Sequence, residues 1–174
     1  MIEIVVGDIL KSKADVIVFS AHPSLLAGSG VSEVIHKAAG PELEKAARLL
    51  GPLSPGEAVI TPAFNLSASH IIHAVCPRYI HGTLEEERAL AQAYKSALEL
   101  KKESYGAKSI AFVSMGTGVY KWPLKLTADI AARALAQSEF ETTSLYVVDE
   151  MTRRVYQQAC KKYLSESLRV VDNI

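Results

Sequence analysis

Apolar residues along this chain fall into two alternating patterns. Short continuous runs read as buried strands: IEIVV (2–6), ADVIVFS (14–20), EAVIT (57–61), HIIHAV (70–75), SIAFVS (109–114) and SLYVV (144–148). Between them, apolar positions recur at helical spacing. Helices are predicted over 31–38 and 41–50, separated by Gly40-Pro41, a stop followed by a proline-initiated restart. Thr83 and Glu86 form a capping box that opens the longest helix, with Leu90, Ala93, Tyr94, Ala97 and Leu98 on one face. YGAK (105–108) closes it. A further helix carries Thr127, Ile130, Ala131, Ala134 and Leu135, and a last one spans about 152–164. GPLSPG (51–56) is a loop. Neither an internal repeat nor a linker interrupts the series, so residues 1–164 read as one domain and 165–174 as a loose or partner-docked tail.

Strands that are apolar throughout, followed by helices, predict an α/β chain whose sheet is covered on both faces, a three-layer α/β/α sandwich. In such folds ligands sit outside the carboxyl ends of the strands. Two glycine loops follow strands directly and belong on that edge: Ala27-Gly28-Ser29-Gly30 and Met115-Gly116-Thr117-Gly118. Glycines there either let the backbone turn tightly or leave bare amides to hold an anion, the first loop at a helix N-terminus. Neither loop matches a Walker or a G-x-G-x-x-G pattern.

Whole-chain properties narrow the partners. The 174 residues include 19 basic and 19 acidic side chains, so nothing points to general nucleic-acid or anionic-membrane binding. Half the chain is hydrophobic (49%), yet no run is long enough to span a bilayer, and MIEIVVGD lacks a basic leader. The expectation is a soluble, cytoplasmic domain. Cys76 and Cys160 form neither a disulfide framework nor a metal-spaced cluster, and His70 and His73, an odd number of residues apart on a strand, point to opposite faces. No metal and no resident cofactor is expected. His36 and His73 read as structural.

The ordered segments GDIL, ADVIV, AHPSLLAGSGV, IHKAAGPEL, GEAVIT, FNL, IIHAVCPRY and MGTGVYKWP resemble a macrodomain of the Appr-1''-p processing family, nearest to its MacroD-type members. The resemblance covers residues 1–164 and implies a mixed central sheet of about six strands with a crevice for ADP-ribose. Matched residue by residue, it implies that Asp8 accepts from the adenine amino group and that the Ile9 amide supports the ring. The resemblance further implies that Gly28, Ser29, Gly30 and Val31 wrap the diphosphate with Gly116, Thr117, Gly118, Val119 and Tyr120, the last beside the distal ribose. Ala21, His22 and Ser114 complete the lining, and Val148 stands where many members stack an aromatic on adenine. Hydrolytic MacroD-type members read N-A-A-N where this chain reads Phe19-Ser20-Ala21-His22, and carry an aspartate where this chain has Ser32. Gly116 stands where serine is typical and Lys121 where glycine is.

Three function classes follow. The first is a module that binds ADP-ribose, a related metabolite or an ADP-ribosylated protein. The second is an ADP-ribosyl hydrolase, acting on modified proteins, O-acetyl-ADP-ribose or Appr-1''-p, with His22 as general base or ribose anchor. The third is a degenerate macrodomain serving as an interaction scaffold. The intact GSGV and GTGVY loops favour binding over the scaffold, and the replaced Asn and Asp positions favour binding over hydrolysis.

Overall fold

The computed structural model describes residues 1–118, 120–164 and 168–172. Seven strands form one sheet: β1 (Ile2–Val6), β2 (Val16–Ser20), β3 (Ala58–Pro62), β4 (His70–Ala74), β5 (Ser109–Val113), β6 (Thr142–Val147) and β7 (Leu168–Asp172). Their order is β3-β4-β2-β5-β6-β1-β7, and every pairing is parallel except β3 with β4. β3 forms one edge and ends at Pro62, which lacks an amide to offer a further strand. The sheet is therefore mixed, as expected, with all six predicted strands present.

The seventh strand corrects the reading of 165–174 as a tail. Backbone groups of Leu168–Asp172 pair in parallel with β1, Ile2 opposite Leu168 and Val6 opposite Asp172. The segment LRVVD is short and lies at the end of the chain, with Arg169 breaking its apolar run. It gains its pairing from an edge of β1 that local sequence does not reveal. Residues 165–167 and 173–174 lie outside the described residues.

Among the described residues five helices cover the sheet: α1 (Val31–Ala39), α2 (Pro41–Arg48), α3 (Leu84–Glu99), α4 (Leu124–Leu135) and α5 (Glu150–Lys161). α1 packs on α2 and β2, while α3, α4 and α5 pack side by side, with α3 on β3 and β4 and α5 on β1. Strand β2 is buried at four successive positions, the signature of a strand covered on both faces. The Thr83 hydroxyl accepts from the Glu86 amide, and the Glu86 carboxylate accepts from the amides of Ile80, His81 and Gly82. The expected capping box thus fixes the start of α3. In α4 the buried face is Thr127, Ala128, Ala131, Ala132 and Leu135, rotated by about one residue from the predicted stripe. Contact with both α3 and α5 sets that rotation.

The core centres on Phe19, Phe112, Tyr94, Tyr156, Ile4, Ile17 and Leu90, all essentially inaccessible. His36 and His73 are buried beside Phe19, their ring centroids 6.2 Å apart. Both are structural, as expected, and burial lowers both pKa values, that of His73 to about 3. Cys76 and Cys160 are buried free thiols whose pKa values burial pushes up to about 12 and about 11, so neither is a reactive thiolate. Among the described residues no helix is long and apolar enough to cross a membrane, and no group of three or more His, Cys, Asp or Glu is placed to hold a metal ion.

Candidate functional site

Parallel strands β1, β2, β5 and β6 end on one edge of the sheet, and the loops leaving them enclose a cleft of about 500 Å³. Asp8 and Ile9 reach it from the end of β1, Ala21 and His22 from β2, Ser114 from β5 and Val148 from β6. Ser29, Gly30 and Val31 line it from the first glycine loop; Gly116, Thr117, Gly118 and Tyr120 line it from the second. Of the expected residues, Gly28 does not face the cleft, and Val119 lies outside the described residues. Gly28, at φ +62°, shapes the loop beside His22. Sequence reasoning missed Gly7, Ser20, Val113, Tyr146 and Val147 as lining residues, and read Ser32 only as a departure. The signal that finds them is topological: they end the parallel strands or directly follow them.

The first loop is anchored by residues that cannot shift freely. The Leu25 amide donates to the His22 carbonyl at 2.8 Å, and the fully buried Leu25 side chain sits at φ +61°. The Leu53 amide donates to the Pro23 carbonyl, and the Glu44 carboxylate accepts from the Ala27 amide. Beyond Ala27 the pattern changes. The amides of Gly28, Ser29 and Gly30 donate to no acceptor among the described residues. Gly30 caps α1 at φ +65° with no side chain on the helix end, and a Cβ there would meet open space. The first amides of α1 therefore face the cleft bare, at the positive end of the helix dipole.

The second loop rests on buried hydroxyls. Tyr94 accepts from the Met115 amide at 3.2 Å, and Thr127 donates to the Met115 carbonyl at 3.1 Å. Ser114 Oγ lies 2.6 Å from the Tyr156 hydroxyl and 3.2 Å from Thr117 Oγ1. Burial raises the pKa of both tyrosines, which stay neutral phenols. Gly116, at φ +94°, lies against Trp122, whose indole donates to the Pro77 carbonyl. The amides of Gly116, Thr117 and Gly118 also donate to no acceptor among the described residues.

Among the described residues the cleft lining contains no Lys or Arg. Its anion-binding capacity comes from backbone amides and a helix N-terminus. Asp8 commits Oδ1 to the Leu10 amide at 2.9 Å, capping a one-turn 3₁₀ segment, while Oδ2 has no partner among the described residues. Val148, also in the lining, is 87% exposed, an apolar surface that none of the described residues covers. His22 and Ser32 line the same cleft, and the Ser32 hydroxyl is buried without a partner among the described residues. A larger concavity of about 740 Å³ between α3 and α4 is walled by long charged side chains such as Arg88, Lys95 and Lys102. It carries neither glycine loop nor any strand end.

The Macro domain family model matches residues 18–131. A Macro domain-containing protein of Lactiplantibacillus plantarum is 39% identical over 164 residues, covering 91% of this chain and 95% of its own. An O-acetyl-ADP-ribose deacetylase of an Enterobacter species is 42% identical over 168 residues, covering 90% and 92%. Among solved structures, the Oceanobacillus iheyensis macrodomain with ADP superposes with a TM-score of 0.84 at 38% identity, over 92% of this chain and 90% of that one. A mutant of that macrodomain with ADPR superposes equally well, over 94% and 92%.

Proposed function

The chain belongs to the macrodomain family, and we propose that its cleft binds ADP-ribose, free or attached to a protein or metabolite, with little or no hydrolysis. The observation that carries this reading is the pair of cleft-lining loops whose amides, at Ser29, Gly30 and Gly116 to Gly118, have no acceptor among the described residues. Five amides and a helix N-terminus supply donors for a diphosphate without net positive charge. Asp8 Oδ2 accepts from the exocyclic amine of adenine, and the buried Ile9 supports the ring from its backbone. Val148 covers one face of the base. Tyr120, half-buried beneath the Arg78 guanidinium, walls the distal ribose near His22 and Ser32. The same reading has the protein working in the cytoplasm.

Calorimetric titration with ADP-ribose, ADP and AMP tests this. Binding of ADP-ribose and ADP in the micromolar to sub-millimolar range, with AMP weaker, is expected; absence of all three would leave the scaffold reading.

The name of the Enterobacter relative favours a second reading, hydrolysis of an ADP-ribosyl ester. Against it, the cleft's described lining offers His22 and Ser32, and its one carboxylate, Asp8, is committed through Oδ1 to the Leu10 amide. Losing a positioned acid–base group typically costs about 10²–10⁴-fold in rate. Release of acetate from O-acetyl-ADP-ribose at a rate well above the uncatalysed one would establish this second reading.

A further inference from the structure

Ser114 and Thr117 both line the cleft, and their hydroxyls lie 3.2 Å apart. Behind them runs a row of buried hydroxyls. Ser114 Oγ is 2.6 Å from the Tyr156 hydroxyl on α5, and Tyr156 is hydrogen-bonded in turn to Tyr94 on α3. Neither tyrosine lines the cleft or has accessible surface, and burial keeps both as neutral phenols that retain their protons. The protons of this row can be placed from its inner end. The Met115 amide can only donate, so the Tyr94 oxygen accepts from it and must send its own proton elsewhere. Among the described residues the Tyr156 oxygen is the acceptor beside it. Thr127, also next to Tyr156, spends its proton on the Met115 carbonyl at 3.1 Å. Tyr156 then donates to Ser114, because a phenol is the stronger acid and an aliphatic hydroxyl the better acceptor, and 2.6 Å is a short O–H···O bond. Each oxygen accepts one proton and gives one. The last, Thr117 Oγ1, accepts from Ser114 and keeps its own proton for the cleft.

We propose that Tyr156, backed by Tyr94, is a positioning residue of the anion site: the row of hydroxyls is polarised outward, and Thr117 presents its O–H to a phosphoryl oxygen beside the bare amides of the second loop. The proposal rests on the ADP-ribose reading of the cleft. It adds a side-chain donor to the backbone donors, and it makes the affinity depend on a residue of α5 that does not touch the ligand. A row polarised the other way would turn the lone pairs of Thr117 toward the phosphate and repel it. The direction of the row therefore favours ligands rich in acceptor oxygens.

Titration of the full chain with ADP, arranged as a double-mutant cycle, tests the proposal. Thr117→Val keeps the shape of the side chain and removes its hydroxyl, so ADP should bind about tenfold more weakly, as expected for one hydrogen bond to a charged group. Thr117→Ser should recover most of the loss. Tyr156→Phe should weaken ADP about threefold in the native background and have no effect in Thr117→Val, because it acts only through that hydroxyl. Ser114→Ala breaks the row while leaving both phenols in place, and its effect should likewise vanish in Thr117→Val, so the test stands even where Tyr156→Phe fails to fold. A purely structural role for Tyr156 would lower Tm and weaken ADP by the same factor in both backgrounds. That result, or ADP binding unaffected by Thr117→Val, overturns the proposal. If the unmodified chain binds neither ADP nor ADP-ribose, the ADP-ribose reading itself fails; binding with additive effects removes only the polarised row.

Discussion

Replacing Tyr94 by Phe probes how the second glycine loop is held. The Tyr94 hydroxyl accepts the Met115 amide at 3.2 Å, and both residues have no accessible surface. Phe keeps the ring contact with Phe112, whose centroid lies 5.5 Å away. What is lost is the acceptor of the Met115 amide together with the link to the Tyr156 hydroxyl, and a buried backbone N–H left unmet costs about 1–3 kcal/mol. In a domain of this size each kcal/mol shifts Tm by roughly 2–4 °C, so a drop on the order of 5 °C is expected. Tyr156→Phe is the comparison. Its hydroxyl lies 2.6 Å from Ser114 Oγ, but Ser114 retains Thr117 as a second partner, so the cost stays near 1 kcal/mol. Urea and thermal denaturation supply both values, and amide hydrogen exchange at Met115 reads the local opening directly. The reasoning is refuted if Tyr94→Phe costs less than about 0.5 kcal/mol, or less than Tyr156→Phe.

Stability should fall on acidification, because His36 and His73 are neutral in the fold and titrate near their ordinary pKa when unfolded. The unfolded chain binds protons first, so this contribution is complete above about pH 6.5 and is lost as pH falls toward 3. For His73 alone the loss from pH 7 to pH 5 is about 2 kcal/mol, and His73→Gln should flatten the profile of denaturation midpoint against pH. Asp8→Ala should weaken ADP-ribose and reduce preference for adenine over guanine in competition titrations; an unaltered preference removes Asp8 from the adenine site. Val148→Tyr should tighten ADP-ribose by about 0.5–1.5 kcal/mol through stacking, and unchanged affinity would show that Val148 does not face the base. With no Lys or Arg in the lining, affinity should vary little between low and moderate salt; a steep salt dependence would mean that charged side chains outside the cleft hold the diphosphate.

Much of this architecture is legible in the sequence because its strands are unbroken apolar runs and its loops are punctuated by glycine. VIVF into AHPSLLAGSG, and SIAFV into MGTG, place two amide-rich turns at strand ends by pattern alone. The less legible parts depend on partners distant in sequence. β7 exists because β1 has an open edge, and α4 is rotated because α3 and α5 both press on it. Tyr94 reads as one more apolar position on α3, and Tyr156 carries no motif, yet from different helices their hydroxyls hold the second loop at Met115 and Ser114 and interact with each other. The turn that aims the Ser24 amide at His22 Nδ1 is likewise invisible in the letters AHPS.

Calorimetric titration of the unmodified protein with ADP-ribose tests the central claim most directly, that two loops of bare amides form a diphosphate cradle. A saturable isotherm of roughly −5 to −8 kcal/mol is expected, with ADP retained and AMP, which lacks the second phosphate, markedly weaker. No heat from ADP-ribose at millimolar concentration, or AMP binding as tightly as ADP, would contradict it.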